Sequence, residues 1–150
     1  VEQVKVDGGT GVIDTNSANW FSAGKSASNR VPTQPELPQS LRIALATGQI
    51  RRPLGDTLRP LLELFADGEY QVTGPERLAE DRYLTPSADW PPADVSRVGY
   101  YRTAIKSGHR PVAVVLETAD AAVILDGHHK IAAYREEEIL PHLLIISPLA

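Results

Sequence analysis

PVAVVLETADAAVILDGHHKIAAYR, residues 111–135, is the stretch that decides the fold. Val112 to Leu116 is an unbroken β-branched and aliphatic run, the pattern of a strand buried on both faces. Glu117-Thr118-Ala119-Asp120 reads as a turn, and Ala121 to Leu125 as a second buried strand. Asp126-Gly127 interrupts that strand, and His128-His129-Lys130 opens a helix-favouring segment that continues to Glu137. Upstream, Asp94 or Ser96 can cap a helix in which Val95, Val98, Tyr101 or Arg102, and Ile105 recur at helical spacing. Gly108 supplies its stop and Pro111 prevents its continuation. Downstream, Pro141 precedes a closing strand, Leu143 to Ile146. The order helix, strand, turn, strand, helix, strand predicts an α+β domain: a small mixed sheet with helices packed around it.

The first ninety residues are less patterned. Val4-Val6 and Val12-Ile13 flank Asp7-Gly8-Gly9, which suggests a hairpin. From Thr15 to Ser40 the chain is rich in Ser, Asn, Gly and Pro and reads as an irregular wrap, anchored on the core by Trp20-Phe21. LRIALATG predicts a short helix with Leu41, Ala44 and Leu45 on one face and Gly48 at its end. GDTLRPLLELFADG predicts another, with Asp56 as N-cap, Pro60 in the first turn and Leu58, Leu61, Leu62 and Phe65 facing the core. Gly74-Pro75, Pro86 and Pro91-Pro92 make the segment from Glu69 to Pro92 read as mostly loop, with a short helix near Glu76 to Glu80. We therefore expect one domain over 1–150, with a divergent part at 1–93 and a well-patterned core at 94–147.

At 150 residues one hydrophobic core is the default, and 42% hydrophobic against 23% charged residues excludes a disordered or fibrous polymer. With 15 Lys+Arg against 19 Asp+Glu, the net charge of −4 provides no bulk attraction to nucleic acid or anionic membranes. The absence of cysteine removes disulfides, thiolate metal sites and cysteine nucleophiles. No apolar run approaches the roughly 18–20 residues of a membrane span, so no membrane partner is expected. VEQVKVDGG lacks the layout of a signal peptide, and the chain contains no methionine, which fits a processed or excised segment.

Chemistry concentrates at ILDGHHKIAAYR, Ile124 to Arg135. The first-turn amides of a helix have no intrahelical acceptor, and the helix dipole favours negative charge beside them. Gly127 puts no side chain in the way of a ligand, and His128, His129 and Lys130 add donors that are electrostatically poor there unless an anion is bound. Asp126 fits an N-cap by type and position. Adjacent histidines point to different helix faces, which argues against a zinc site, and His109 and His142 follow no metal-ligand spacing. P-loop, GxGxxG and GxSxG motifs are absent.

DVSRVGYYRTAIKSGHRPVAVVLETADAAVILDGHHKIAAYREEEILPHLLII, residues 94–146, resembles the ParB-like/sulfiredoxin-like superfamily, most specifically at the DGHHR-type turn ILDGHHKIAAY. The resemblance implies that this turn and helix start bind the phosphates of a nucleotide: CTP in chromosome-partition proteins, ATP in sulfiredoxins, ADP in a free-serine kinase. It implies phosphate-binding roles for His129 and Lys130. His128 stands where sulfiredoxins have their catalytic cysteine, so sulfinic-acid reduction has no thiol to use. A GERRxRA-type box and a downstream DNA reader are also missing, which weakens the partition-protein reading.

Three readings stay open. The first is a small nucleotide-dependent phosphotransferase or nucleotide hydrolase. Gly127, His128, His129 and Lys130 would bind ATP, ADP or CTP, and Asp126, His128 and Glu117 would be the catalytic candidates. Asp126 would also be the magnesium ligand, and a small molecule or protein the acceptor. Arg97 and Arg102 could close over phosphates, although solvated surface roles suit them better. A ParB-like nuclease shares this site, but the acidic balance counts against nucleic acid. The second reading is a non-catalytic module that binds a nucleotide or phospho-ligand, and the third an effector or toxin domain of a larger secreted protein. The first two suit a cytoplasmic chain.

Overall fold

The structure, a computed structural model, describes residues 1–13, 37–80, 83–87, 90–119 and 121–149. In chain order its elements are β1 (Glu2–Val6), α1 (Gln39–Thr47), α2 (Leu54–Thr57), α3 (Arg59–Leu62), β2 (Gly68–Arg77), β3 (Thr85–Pro86), α4 (Val95–Lys106), β4 (Val112–Glu117), β5 (Ala122–Asp126), α5 (His128–Glu136) and β6 (His142–Pro148). The six strands form one mixed sheet in the order β1-β2-β6-β4-β5-β3. β4 and β5 form an antiparallel hairpin, and α5 carries the chain over to β6, which lies parallel to β4 on its other side. The expected mixed α+β architecture is therefore present, and α4, β4, β5, α5 and β6 follow in the order read from the sequence.

Alternation along β4 separates two apolar layers. Val112, Val114 and Leu116 join Leu144, Ile146 and Val72 in a core covered by Leu41, Leu45, Leu54, Leu58, Leu61, Leu62 and Phe65. Ala113 and Val115 face the other way and pack with Ile124, Leu143 and Ile131 of α5. α4 then closes on α5 through Val98, Tyr101 and Ile105 against Ala133 and Tyr134. Helices thus cover both faces, which explains why β4 is apolar at every position rather than at alternate ones.

The N-terminal part departs from expectation in three places. Residues 68–77 form a strand rather than loop, and no helix forms at 76–80: Glu76 and Arg77 continue β2 opposite Leu143 and His142. Gly74-Pro75 sits at a register shift between Thr73 and Glu76, so the Pro without an N–H lies where the ladder is already interrupted. The hairpin expected from Val4 to Ile13 does not form, because β2 takes the ladder of β1. Ile13 instead makes a parallel bridge to Phe65, and the Gly9 amide donates to the Asp67 carboxylate at 2.7 Å. The helix expected over 55–68 is two four-residue helices broken at Leu58, whose φ of −91° and ψ of 6° are non-helical. Asp56 lies inside the first of these, with Pro53 at the N-cap, while Pro60 does occupy a first turn. α1 ends at a left-handed Gly48 as expected. Trp20-Phe21 and most of the wrap they were to anchor lie outside the described residues, as does Asp120. Among the described residues no helix is long and apolar enough to cross a membrane.

Candidate functional site

Gly127, at φ +104°, turns the chain out of β5 and is the N-cap residue of α5. The helix has no side-chain cap and no acidic residue in its first turn. Asp126 therefore does not cap it. The glycine takes up the turn, and Asp126 stays in the ladder as the last residue of β5, opposite Val114. Its Oδ2 lies 3.9 Å from Lys130 Nζ. The neighbouring helix shows the contrast: the Asp94 carboxylate caps α4, accepting from the Arg97 amide at 3.0 Å and from Ser96 Oγ at 2.8 Å. Gly127 also serves a different purpose from the one expected. A Cβ there would stand 2.8 Å from Ala113 Cβ, so its bareness lets helix and strand pack together rather than admitting a ligand.

The three polar side chains of the turn divide between inside and outside. His128 is 4% exposed, and its Nε2 accepts from the Ser87 amide at 3.0 Å, which leaves the ring proton on Nδ1. Burial, with a smaller push from His129, lowers its pKa to about 4, so it is neutral at pH 7. Ser87 Oγ donates to the Ile124 carbonyl at 2.5 Å. The imidazole thus meets the serine backbone and not its hydroxyl, and the pair is not an activated nucleophile. Lys130 is also 4% exposed. Its Nζ donates to the Val112 carbonyl at 3.0 Å and lies 5.7 Å from the centre of the Tyr101 ring. Burial lowers its pKa against the opposing pull of Asp126. His128 and Lys130 are therefore inward-held, contrary to their expected place as surface phosphate donors.

His129 is half-buried and lies among charges from both helix starts. Burial and Arg97 lower its pKa, while Asp94 and Asp126 oppose them. Arg97 in turn donates to the Tyr101 hydroxyl, whose own pKa is raised chiefly by burial. Ser87, His128 and Lys130 are the buried polar side chains among the described residues, and all belong to this one corner. Such a concentration is costly unless every group is matched, and it is a physical marker of a functional site. Because Asp126 partly neutralises the buried ammonium, Asp126→Asn should lower stability by about 1–2 kcal/mol. Urea denaturation at pH 7 checks this.

Two expected participants lie elsewhere. Glu117 pairs with Ala122 at the turn end of the hairpin. It is four residues along the ladder from Asp126, or roughly 13 Å at strand spacing, so the two carboxylates do not share a cleft. Arg102 donates to Glu137 at 2.7 Å and lies 3.8 Å from Glu136, turned toward the far end of α5. Among the described residues no group of three or more His, Cys, Asp or Glu could hold a metal ion. Ser87, Tyr101 and Asp94 belong to the corner although the sequence marked none of them as site residues. Ser87 lies in a Pro-rich segment with no motif, and Tyr101 and Asp94 read only as a core position and a cap.

No family model matches this chain, and no curated protein or solved structure matches it either. Fold and site together define a mixed α+β domain with a polar corner where a central strand passes into a helix.

Proposed function

We propose that this chain is a nucleotide-phosphate-binding domain of the ParB-like/sulfiredoxin-like type, with the phosphate seated on the N-terminus of α5. The observation that carries the reading is the contrast between two adjacent helix starts: α4 is capped by Asp94, whereas α5 has neither cap nor acidic first turn. The succession α4-β4-β5-α5-β6 agrees with the family pattern. The first-turn amides of α5 and the side chains of His129 and Arg97 are the donors. His128 and Lys130 hold the helix start from within, against Ser87 and Val112. ATP, ADP and CTP are the candidate ligands. Asp126 is the carboxylate available to a phosphate-bound magnesium ion or as a base in phosphoryl transfer or hydrolysis. The distance of Glu117 from this corner favours a second reading, binding without turnover, because it leaves Asp126 without the partner carboxylate.

Thermal melting with ATP, ADP and CTP, with and without magnesium, tests the proposal. At a concentration near 100 times Kd, the cognate nucleotide should raise Tm by about 5–10 °C. The double variant Arg97→Gln, His129→Ala should abolish that rise while melting near the wild-type temperature. If none of the three nucleotides moves Tm, the proposal fails. Turnover lost in Asp126→Ala selects the enzyme, binding without turnover selects the module, and cleavage of plasmid or RNA selects the nuclease or effector.

A further inference from the structure

A second group of cations lies two strands away, where β6 begins. Arg77 and His142 are direct partners across β2 and β6, and His142 is in turn the partner of Val112, two residues after Arg110. Directly opposed residues project from the same face of a sheet and their Cβ atoms approach to about 5 Å. From this juxtaposition we infer a second oxyanion subsite, formed by Arg77, Arg110 and His142, that takes the carboxylate or phosphate group of a small anion.

The cluster is rigidly supported. Arg110 Nη1 donates to the carbonyls of Ile105 at 3.1 Å and His109 at 2.8 Å, which ties the guanidinium to the C-terminal end of α4. The His142 ring stacks on Tyr134, with centroids 6.1 Å apart and planes inclined by 12°. Tyr134 is itself fixed by donation to the Pro111 carbonyl at 2.5 Å. Arg77 comes from β2, Arg110 from the segment before β4, Tyr134 from α5 and His142 from β6. Burial and the two guanidiniums depress the His142 pKa, and the charges acting on it are both positive. In a chain with more carboxylates than cations, this is a place where positive groups converge around an imidazole without one of those carboxylates to offset them. A bound oxyanion would supply the missing charge and accept from His142 once protonated. The subsite lies at the same end of the sheet as the α5 start, at two strand spacings or about 10 Å. It does not depend on a phosphate being bound there.

The test follows the His142 imidazole resonances by NMR in the full chain, with inorganic phosphate and acetate titrated separately across the millimolar range. Saturable His142 shifts are expected, with its pKa rising when the anion is bound. Arg77→Gln, an exposed position, should weaken the response roughly fivefold or more, and His129→Ala should leave it intact. Response to phosphate, to acetate or to both identifies the group the subsite takes. No saturable shift with either anion, or equal affinity in Arg77→Gln, overturns the inference. A His142 response without any at His129 would uphold this subsite while counting against the phosphate at α5.

Discussion

Gly127→Ala should lower the melting temperature of the chain by roughly 5–15 °C, the consequence of about 2–4 kcal/mol of lost stability in a domain of this size. Two independent costs add at this position. At φ +104° an L-residue is strained, by about 1–2 kcal/mol. The added methyl would also lie 2.8 Å from Ala113 Cβ and 3.0 Å from its Cα. Ala113 is fully buried in the middle of the sheet and has no flexible side chain to move aside, so β4 or α5 must shift, at about 1–3 kcal/mol. Gly8→Ala separates the two costs. Gly8 has a φ of +81° but nothing within 4 Å of the added atom, so that variant should show strain alone. Adding Ala113→Gly to Gly127→Ala removes the contact but not the strain and should recover part of the loss. Differential scanning calorimetry of the four proteins decides it. Equal losses in Gly127→Ala and Gly8→Ala would refute the idea that helix–strand contact dictates the glycine.

That glycine also shows which parts of the molecule are legible in the sequence. β4, β5, α5 and β6 are readable because their signals are local: an apolar run, a break at Asp126-Gly127, a Pro before the last strand. β2 is not, because only Tyr70 and Val72 alternate before Gly74-Pro75 interrupts the pattern, and its pairing with β1 and β6 is formed with residues far away in the chain. The same division runs through the site. That residues 126–130 hold chemistry is visible from residue type, and the cap on α4 is visible from Asp94. Which histidine turns inward is not. His128 and His129 are one residue and about 100° apart on the helix. The face each occupies depends on Ala113 packing under Gly127 and on an acceptor for the Ser87 amide, 41 residues before His128. No local pattern encodes either fact.

The buried imidazole leads to the second large effect, a stability that declines on acidification. In the fold, burial and His129 hold the His128 pKa near 4, against an ordinary value of 6.5 in the unfolded chain. Below pH 6.5 the unfolded chain takes up a proton that the folded one refuses. Stability is then complete above pH 6.5, falls as pH drops toward 4, and levels off below that. The difference between the two pKa values amounts to about 3 kcal/mol across the window. His129 and His142 are depressed in the same direction and add to the wild-type slope. Glu2 and Asp94, with lowered carboxylate pKa values, contribute at its acid end. The quantity to measure is therefore the difference between wild type and His128→Gln, in which those contributions cancel. Urea unfolding at pH 7.5, 5.5 and 4 should show the variant losing less stability than wild type by up to about 3 kcal/mol. NMR of the wild-type ring should give the Nδ1–H tautomer and a midpoint near pH 4. Parallel pH curves for the two chains, or a ring that titrates near 6.5, would mean that Ser87 and His128 do not form the buried joint on which the α5 start rests. A protonated His128 has no lone pair left for the Ser87 amide, so acid should loosen β3 from β5 before the sheet itself gives way.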